Sequence, residues 1–440
     1  MFSCVDLSIK LLGIDTRPNS LTAPVMTSTI ETATANATAF SVQVRQADLA
    51  SALALVARAV AKHPLQAILS NVLLRALADD GGQLELAATD LNLSISYRIP
   101  AQVSQAGELS VPAQKLGEVV SKLPRIDLSM VAENSHRLTI KAGRSKLALQ
   151  GLAADEFPRE NFLASEKLEA DLRLNAELLQ EGLSLVGFAA EKRETNNILS
   201  GVCFEVSAEN GLELAATDGS RLAYYHVPEF KSAAAQRSVL PYRAVQELLR
   251  LIDTGEQSGT ELELLLNQTA GFFARTAAGS LSSTLVDGSY PRYQQLIPKE
   301  HKQRAVLSRE ALLPAMERVA TLANERNRVV KLFFEASSDQ LSISANTPEL
   351  GEAFDQLDLV EYQGEDFTIA FNVNYLLEAL RNLTVPQLEM QMSDPLRPLI
   401  IVPANVNDEN DQKTDDQEKT SGINPRASYL YLLMPIQIRN

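Results

Sequence analysis

LELAATD, residues 84–90, returns letter for letter at residues 212–218. A looser copy, LSISANT, begins 129 residues further on at Leu341. All three alternate apolar and polar side chains, the pattern of a half-buried strand. Working outward, each copy is preceded by apolar residues at spacing 4, 3, 4, one face of an α-helix. These are Leu49, Leu53, Val56 and Val60, then Leu179, Leu183, Val186 and Ala190, then Leu312, Met316, Val319 and Ala323. Each copy is followed by a second helical set at spacing 3, 1, 3: Leu116, Val119, Val120 and Leu123, then Val245, Leu248, Leu249 and Ile252, then Leu376, Ala379, Leu380 and Leu383. Alternating runs such as SVQV (41–44), RLTIKA (137–142), LELLL (262–266) and FTIAF (367–371) read as strands.

The unit is strands, a helix, strands, a second helix and strands in about 130 residues, too long for a solenoid repeat and the size of a domain. The expected organisation is an α+β chain with domains at 40–165, 166–298 and 299–440 and short joins near residues 165 and 298. Residues 1–39 carry no core pattern and read as a disordered extension, with Met26 an alternative start. Pattern alone also allows a triplicated unit that forms no ring.

Composition narrows the function. The 440 residues are 45% hydrophobic and 22% charged, as in a chain with ordinary cores, and carry a formal net charge of −15. So acidic a chain is a poor candidate for wrapping DNA by charge, although basic residues confined to one face would still allow encirclement. Aromatics are 5% of the chain and Trp is absent, which argues against a stacking surface for sugars or bases. Cys4 lies in the irregular N-terminal stretch and Cys203 is remote from it in sequence, so a structural disulfide is not expected and a reducing cytoplasm fits. There is no run of 18 apolar residues, so no membrane span is expected.

Catalytic signatures are missing. There is no G-x-x-x-x-G-K-[ST], H-E-x-x-H, C-x-x-C or G-x-S-x-G. His63, His136, His226 and His301 follow no metal-ligand spacing, so neither a metal nor a cofactor is expected. Asp90 and Asp218 recur within the repeat like paired carboxylates, but the third copy has no aligned acid, and a turn-capping role explains both better.

Several segments together resemble the bacterial DNA polymerase III beta subunit, the sliding-clamp family. They are ILSNVLL (68–74), ATDLNLSISYRI (88–99), AGRSKLAL (142–149), AADEFP (153–158), ATDGSRLA (216–223), LVDGSYPRYQQLIPK (285–299), FNVNYLLEAL (371–380) and LMPI (433–436). The resemblance runs from about residue 40 to 404 and resumes at 428–438. It implies three domains per chain, each with two helices inside a strand shell, and two chains joined head to tail in a ring around duplex DNA. It also implies a non-catalytic protein that tethers DNA polymerase III subunits, the clamp loader and other proteins carrying a clamp-binding motif, in the bacterial cytoplasm at the nucleoid. The alternatives from other classes are an enzyme with its site at a domain junction, or a scaffold that does not encircle DNA.

Sliding needs sequence-independent phosphate contacts. The second helices offer Lys115 and Lys122, Arg243 and Arg250, and Arg381; each of the first two pairs is seven residues apart and shares a helix face. By resemblance, loop contacts fall at His63, Arg98, Lys192, Arg193, Asn372 and Tyr375. His63 stands where the family usually has Arg and is a weaker cation near neutral pH. The loop EKRETNN (191–197) lacks the aromatic or Arg residues that the family often has just before the L-x-G step at Leu199. The resemblance also implies an apolar cleft for a partner peptide. It would be lined by Leu199, Thr217, Gly219, Arg221, Leu222, Pro291 and Leu296, and from the third domain by Leu396, Pro398, Met434, Pro435 and Ile436. Leu222, Leu296 and Ile436 would equally suit a plain core. The dimer contact would set Arg144, Lys146, Leu147 and Leu149 of an edge strand against Thr321, Leu322, Glu352 and Asp355 on a third-domain helix and loop. Residues 405–426, rich in Asp, Glu, Asn and Gln, interrupt the last two strands; a disordered surface insertion is expected, with an effect on partner access as the sharper alternative.

Overall fold

The computed structural model describes residues 40–437 except 80, 135, 160–171, 194–196, 233–234, 255–260, 268–270, 324–327, 349 and 405–426. The expectations for 1–39 and for the insertion 405–426 lie outside the described residues.

The first repeat holds strands β1 (Phe40–Arg45), β2 (Asn71–Leu77), β3 (Gln83–Thr89), β4 (Leu93–Pro100), β5 (Gln102–Gln105) and β6 (Gly107–Pro112). Strands β7 (Asp127–Asn134), β8 (Arg137–Ala142) and β9 (Ser145–Gln150) complete it, with helix α1 (Gln46–Val56) after β1 and α2 (Ala113–Lys122) after β6. The second repeat has β10 (Leu172–Asn175), α3 (Ala176–Gly187), β11 (Gly201–Ser207), β12 (Gly211–Thr217), β13 (Arg221–Val227) and β14 (Gln236–Pro241). Then come α4 (Tyr242–Asp253), β15 (Glu261–Asn267), β16 (Gly271–Arg275) and β17 (Gly279–Ser283). The third has β18 (Gln303–Ser308), α5 (Arg309–Ala320), β19 (Val329–Glu335), β20 (Gln340–Thr347), β21 (Gly351–Asp358), β22 (Glu361–Gln363) and β23 (Phe367–Asn372). It ends with α6 (Val373–Asn382), β24 (Gln387–Met392), β25 (Leu399–Pro403) and β26 (Ser428–Leu433).

The helical spacing read from the sequence is what the core uses. Leu49, Leu53, Val56, Leu179, Leu183, Val186, Leu312, Met316 and Val319 are all buried, and burying each such side chain is worth about 1.5–3 kcal/mol. The last member of each set falls just beyond its helix: Val60 and Ala323 are half-buried and Ala190 is enclosed in the following turn. The helices begin where the sequence allows. Asn175 accepts from the Glu177 N–H at 2.7 Å, Ser308 from Ala311 at 3.4 Å, and Asn372 from Asn374 at 3.0 Å. Helices α2 and α4 instead follow Pro112 and Pro241, which lack a side-chain cap. Helix α3 approaches β13 so closely that a Cβ on Gly182 would lie 2.6 Å from the Tyr225 ring, which explains the glycine.

Among the described residues every pairing is antiparallel, and three of the four sheets run in the orders β5-β1-β7-β8-β9, β10-β15-β16-β17-β4-β3-β2-β6 and β14-β11-β12-β13-β26-β25-β24-β18-β22. The fourth is β21-β20-β19-β23. Two sheets therefore cross repeat boundaries: β17 pairs with β4, and β26 with β13. At the two ends of the series, β9 pairs only with β8, and β21 only with β20, among the described residues. No described helix is long and apolar enough to cross a membrane.

Candidate functional site

ATDGSRLA builds the turn between β12 and β13. Gly219 has φ +89°, a left-handed conformation that costs an L side chain strain. The Thr217 hydroxyl accepts from the Gly219 N–H at 3.1 Å and donates to the Arg221 carbonyl at 2.5 Å. Asp218 Oδ1 accepts from the N–H groups of Ser220 (2.9 Å) and Arg221 (3.2 Å). The first repeat does the same: Asp90 Oδ1 accepts from Asn92 at 3.0 Å and Leu93 at 2.8 Å. The recurring aspartates are turn caps.

This turn aims Arg221 into the joint between the second and third repeats. Its guanidinium, 3% exposed, donates Nε to Asp218 (3.1 Å), Nη1 to Glu378 on α6 (2.6 Å) and Nη2 to the Phe188 carbonyl (3.0 Å). It also stacks 4.4 Å from the Tyr375 ring centroid. Lys192 reaches the other Glu378 oxygen at 2.8 Å. Burial pushes the Glu378 carboxyl up, but the hydrogen bonds from Lys192 and Arg221 outweigh it and hold the group below its ordinary value. Tyr375 and Lys192, nominated as DNA contacts, therefore belong to the same cluster as Arg221, nominated for the cleft. Proximity in the fold had no signal in sequence distance.

On the outer face of the same sheet, Leu222 packs with Cys203, Ala215, Val239, Tyr290, Tyr293 and Leu432, with Leu199 at the cluster's edge. Tyr290 locks this cluster to the turn, its hydroxyl accepting from the Thr217 N–H at 3.1 Å. Leu222 is 1% exposed and Thr217 and Arg221 are enclosed, so these three support the surface from beneath and do not line it. Leu222 is buried, as a plain core would also have it, whereas Leu296 is exposed. Leu296, Leu396 and Met434 are 56%, 62% and 42% exposed, and Pro291 is also exposed. Leu296 ends the short turn that Tyr293 begins, and Met434 donates its N–H to the Ser220 carbonyl at 2.9 Å beside Gly219. Leu396 and Pro398 lead into β25, whose Leu399 stands opposite Leu433. Pro435 and Ile436 are half-buried, and the Ile436 N–H is held by Ala370 at 2.8 Å. Tyr290 and Tyr293, within the quoted YPRYQQL, were overlooked as the support of this surface.

Several of the basic residues are partly or fully exposed and ion-paired. Lys115 pairs with Glu118 at 2.8 Å, Arg250 with Glu247 at 2.8 Å, Arg381 with Glu317 at 2.8 Å and Arg98 with Glu85 at 3.0 Å. Lys122, Arg193 and His63 are exposed. Arg243 bridges repeats, donating to Asp90 at 2.6 Å and to the Arg58 carbonyl at 2.8 Å. Asn372 spends its side-chain oxygen capping α6. Glu118, Glu247 and Glu378 each lie two residues past the first apolar residue of a second helix, a repeat of acids that the search for cations passed over.

Most of the expected dimer residues lie on or beside β9 and β21, an edge strand of the first repeat and one of the third, with one correction. Glu352 and Asp355 lie on strand β21 and not on a helix or loop, because the third repeat ends its sheet there; only Thr321 and Leu322 lie in the turn after α5. Asp355 faces inward and pairs with Arg318 at 2.7 Å, while Glu352 faces outward and accepts from Asn346 at 2.7 Å. Arg144 and Lys146 are exposed, and Leu147 and Leu149 half-buried. Sequence reasoning missed Phe354, 67% exposed on the outer face of β21 between the two acids.

Three copies of one α+β unit, joined edge to edge by shared sheets, define a clamp-type architecture. Family models agree on each unit: the N-terminal, central and C-terminal domains of the DNA polymerase III beta subunit match residues 39–161, 173–292 and 294–414. The beta sliding clamp of Synechococcus elongatus is 34% identical over 402 residues, covering 90% of this chain and 99% of its own. That of Caulobacter vibrioides is 32% identical, covering 82% and 95%. Among solved structures, the Pseudomonas aeruginosa sliding clamp bound to griselimycin is 29% identical with a TM-score of 0.76, covering 91% of this chain and all of its own. The chain belongs to the DNA polymerase III beta subunit family. It is a DNA sliding clamp, a processivity subunit without catalysis of its own.

Proposed function

We propose that two copies close head to tail into a ring around duplex DNA and that the ring tethers polymerase and other partners by a short peptide. The carrying observation is the opposite charge of two edge strands, β9 in the first repeat and β21 in the third. β9, with Arg144 and Lys146, is basic, and β21, with Glu352, Asp355 and Asp358, is acidic, so unlike ends attract and like ends repel. A heterologous contact that closes gives a ring, and each seam removes two open edges. Lys115, Lys122, Arg250 and Arg381 on the second helices would meet phosphates, with Arg98, Lys192, Arg193 and His63 adding loop contacts. Arg243, Asn372 and Tyr375 act chiefly within the protein. The exposed Leu296, Leu396 and Met434, over a floor of Tyr290, Tyr293 and Leu222, form the docking surface for the peptide's apolar anchors, and the unbranched Met adapts to several partners. The clamp loader would use the same surface. The join near residue 298 and the bacterial cytoplasm as the setting belong to the same reading, whereas the join expected near residue 165 lies outside the described residues.

Retention on DNA tests this. Loaded clamp should stay on a nicked circle through a high-salt wash and leave when the circle is cut. Loss at the same rate from circle and linear DNA would show adhesion instead of encirclement, and a monomeric mass at micromolar concentration would remove the ring.

A further inference from the structure

An aromatic–Pro–Arg turn occurs in two repeats, as Phe157-Pro158-Arg159 and as Tyr290-Pro291-Arg292. In each repeat the residue at one place on an outermost strand, β6 or β14, holds the turn. Register fixes the equivalence of that place. Glu108 of β6 stands opposite Arg75, and Arg75 opposite Glu85; Arg237 of β14 stands opposite Glu205, and Glu205 opposite Glu213. Glu85 and Glu213 are the second letters of the two LELAATD copies. In the first repeat Glu108 accepts from the Arg159 guanidinium at 2.6 Å. In the second the polarity is reversed. Arg237 donates Nη2 to the Pro291 carbonyl at 3.0 Å, and its guanidinium carbon lies 6.0 Å from the ring centroids of both Tyr290 and Tyr293. The same carbonyl accepts the Tyr293 N–H at 2.9 Å, so Arg237 grips the atom on which the turn leading to Leu296 is built.

We propose that Arg237 is a positioning residue of the docking surface: by holding the Pro291 carbonyl beside the two tyrosine rings, it sets where Pro291 and Leu296 stand for a peptide's apolar anchor. This rests on the docking reading and goes beyond it by naming the side chain that fixes the surface from outside it. The planar fork suits the task, since one nitrogen reaches the carbonyl while the flat face meets the rings, and an ammonium is only a point charge. A plainer role is relief of repulsion, because Glu205 and Glu213 stand directly opposite each other and Arg237 Nε lies 3.5 Å from Glu205. The first repeat separates the two roles. There the row Glu108–Arg75–Glu85 alternates in sign and has no repulsion to relieve, yet the turn is held from the same place. In the second repeat the Tyr293 hydroxyl also donates to Glu205 at 3.4 Å and the Tyr224 hydroxyl to Glu213 at 2.6 Å, so the carboxylates have other partners.

Fluorescence anisotropy on the full-length chain tests this, with a fluorescein-labelled pentapeptide carrying two leucine anchors and a C-terminal phenylalanine as the probe. Arg237→Ala should weaken binding by about 5- to 20-fold, the scale of one charged hydrogen bond. Arg237→Lys keeps the charge beside Glu205 and loses the fork, so it should fold as the parent does and still lose about 3-fold or more. Glu205→Gln added to Arg237→Ala removes the repulsion; it should return the urea midpoint toward the parent value and leave the affinity low. In a Leu296→Ala background Arg237→Ala should cost less than about 2-fold, because the group it positions is gone. Affinity restored by Glu205→Gln, full affinity in Arg237→Lys, or an Arg237→Ala loss undiminished by Leu296→Ala overturns the proposal. If Arg237→Ala binds as the parent does while Leu296→Ala and Met434→Ala bind weakly, the positioning role falls and the docking surface stands. If Leu296→Ala and Met434→Ala also bind as the parent does, the docking reading falls and takes this role with it.

Discussion

Truncating Arg221 to Ala removes a guanidinium that is 3% exposed and shared among Asp218, Glu378 and the Phe188 carbonyl. Removing one partner of a buried ion pair costs about 3–5 kcal/mol, because the other is left without compensation. Two features soften the loss here. Asp218 keeps its bonds from Ser220 and Arg221 N–H, and Glu378, 32% exposed, keeps Lys192 and some water. The lost contacts with the Tyr375 and Phe188 rings add back about 1 kcal/mol. The expected destabilisation is about 3 kcal/mol, at the low end of the buried-pair range. Lys192→Ala removes a half-exposed cation from the same carboxylate and should cost only about 0.2–1 kcal/mol. The chain has no Trp, so urea unfolding is followed by tyrosine fluorescence, with Tyr375 and Tyr431 close to the change. In a double-mutant cycle with Glu378→Gln, Arg221→Ala should show a coupling of about 0.5–3 kcal/mol. If Arg221→Ala is no more damaging than Lys192→Ala, the guanidinium does not hold this joint together.

Four further outcomes are expected. Burial pushes the Cys203 thiol up to about 11, so in a C4S chain Ellman's reagent at pH 8 should find no reactive thiol until denaturant is added; the stability tied to this group is intact below pH 9.0 and lost as pH climbs toward 11. The depressed Glu378 carboxyl contributes stability that is present above its ordinary 4.5 and lost as pH falls through its folded value, so Glu378→Gln should flatten the acid limb of the pH–stability curve there. Gly182→Ala drives a methyl into the Tyr225 ring and should cost about 1–3 kcal/mol in the unfolding free energy. Leu296→Ala, Leu396→Ala and Met434→Ala should each lower affinity for a clamp-binding peptide by about 1–2 kcal/mol in calorimetry while moving stability by less than about 0.5 kcal/mol, since these side chains face solvent.

Much of this was legible in the residues. The repeat of LELAATD and the helical spacings gave the α+β unit and its three copies, because burial imposes a period on sequence. The rows of cations on α2, α4 and α6 were legible for the same reason, as residues on an exposed helix face. Glu118 and Glu247 stand three residues from their cations on the same helices, but Glu317 and Arg381 are 64 residues apart, and only packing of α5 against α6 brings them together. The dual surroundings of Arg221 were hidden in the same way, since Phe188 follows α3 while Tyr375 and Glu378 come from α6 in the next repeat. That β21 is a free edge was hidden as well. Its sequence, GEAFDQLD, alternates like any strand, and nothing local distinguishes an open edge from a paired one. Phe354 was visible only as an outward position whose partner strand is missing.

The distribution of these ion pairs bears on how so acidic a chain, at a net charge of −15, could run along a polyanion. On the ring reading the topology holds the DNA, and the pore surface needs no net attraction. Lys115–Glu118 and Arg381–Glu317 are about half exposed on both sides, so each is worth at most about 1 kcal/mol. A passing phosphate can take the cation from its carboxylate at that small cost, and the carboxylate recovers it when the phosphate moves on. Each contact is therefore exchangeable, and because none reads a base edge, successive positions along the duplex are nearly equal in energy. A surface of unpaired cations would bind more tightly, release more counterions and be harder to displace. On that reading the carboxylates beside the cations would be part of the sliding surface: they would keep each phosphate contact weak, while closure of the ring would supply the persistence.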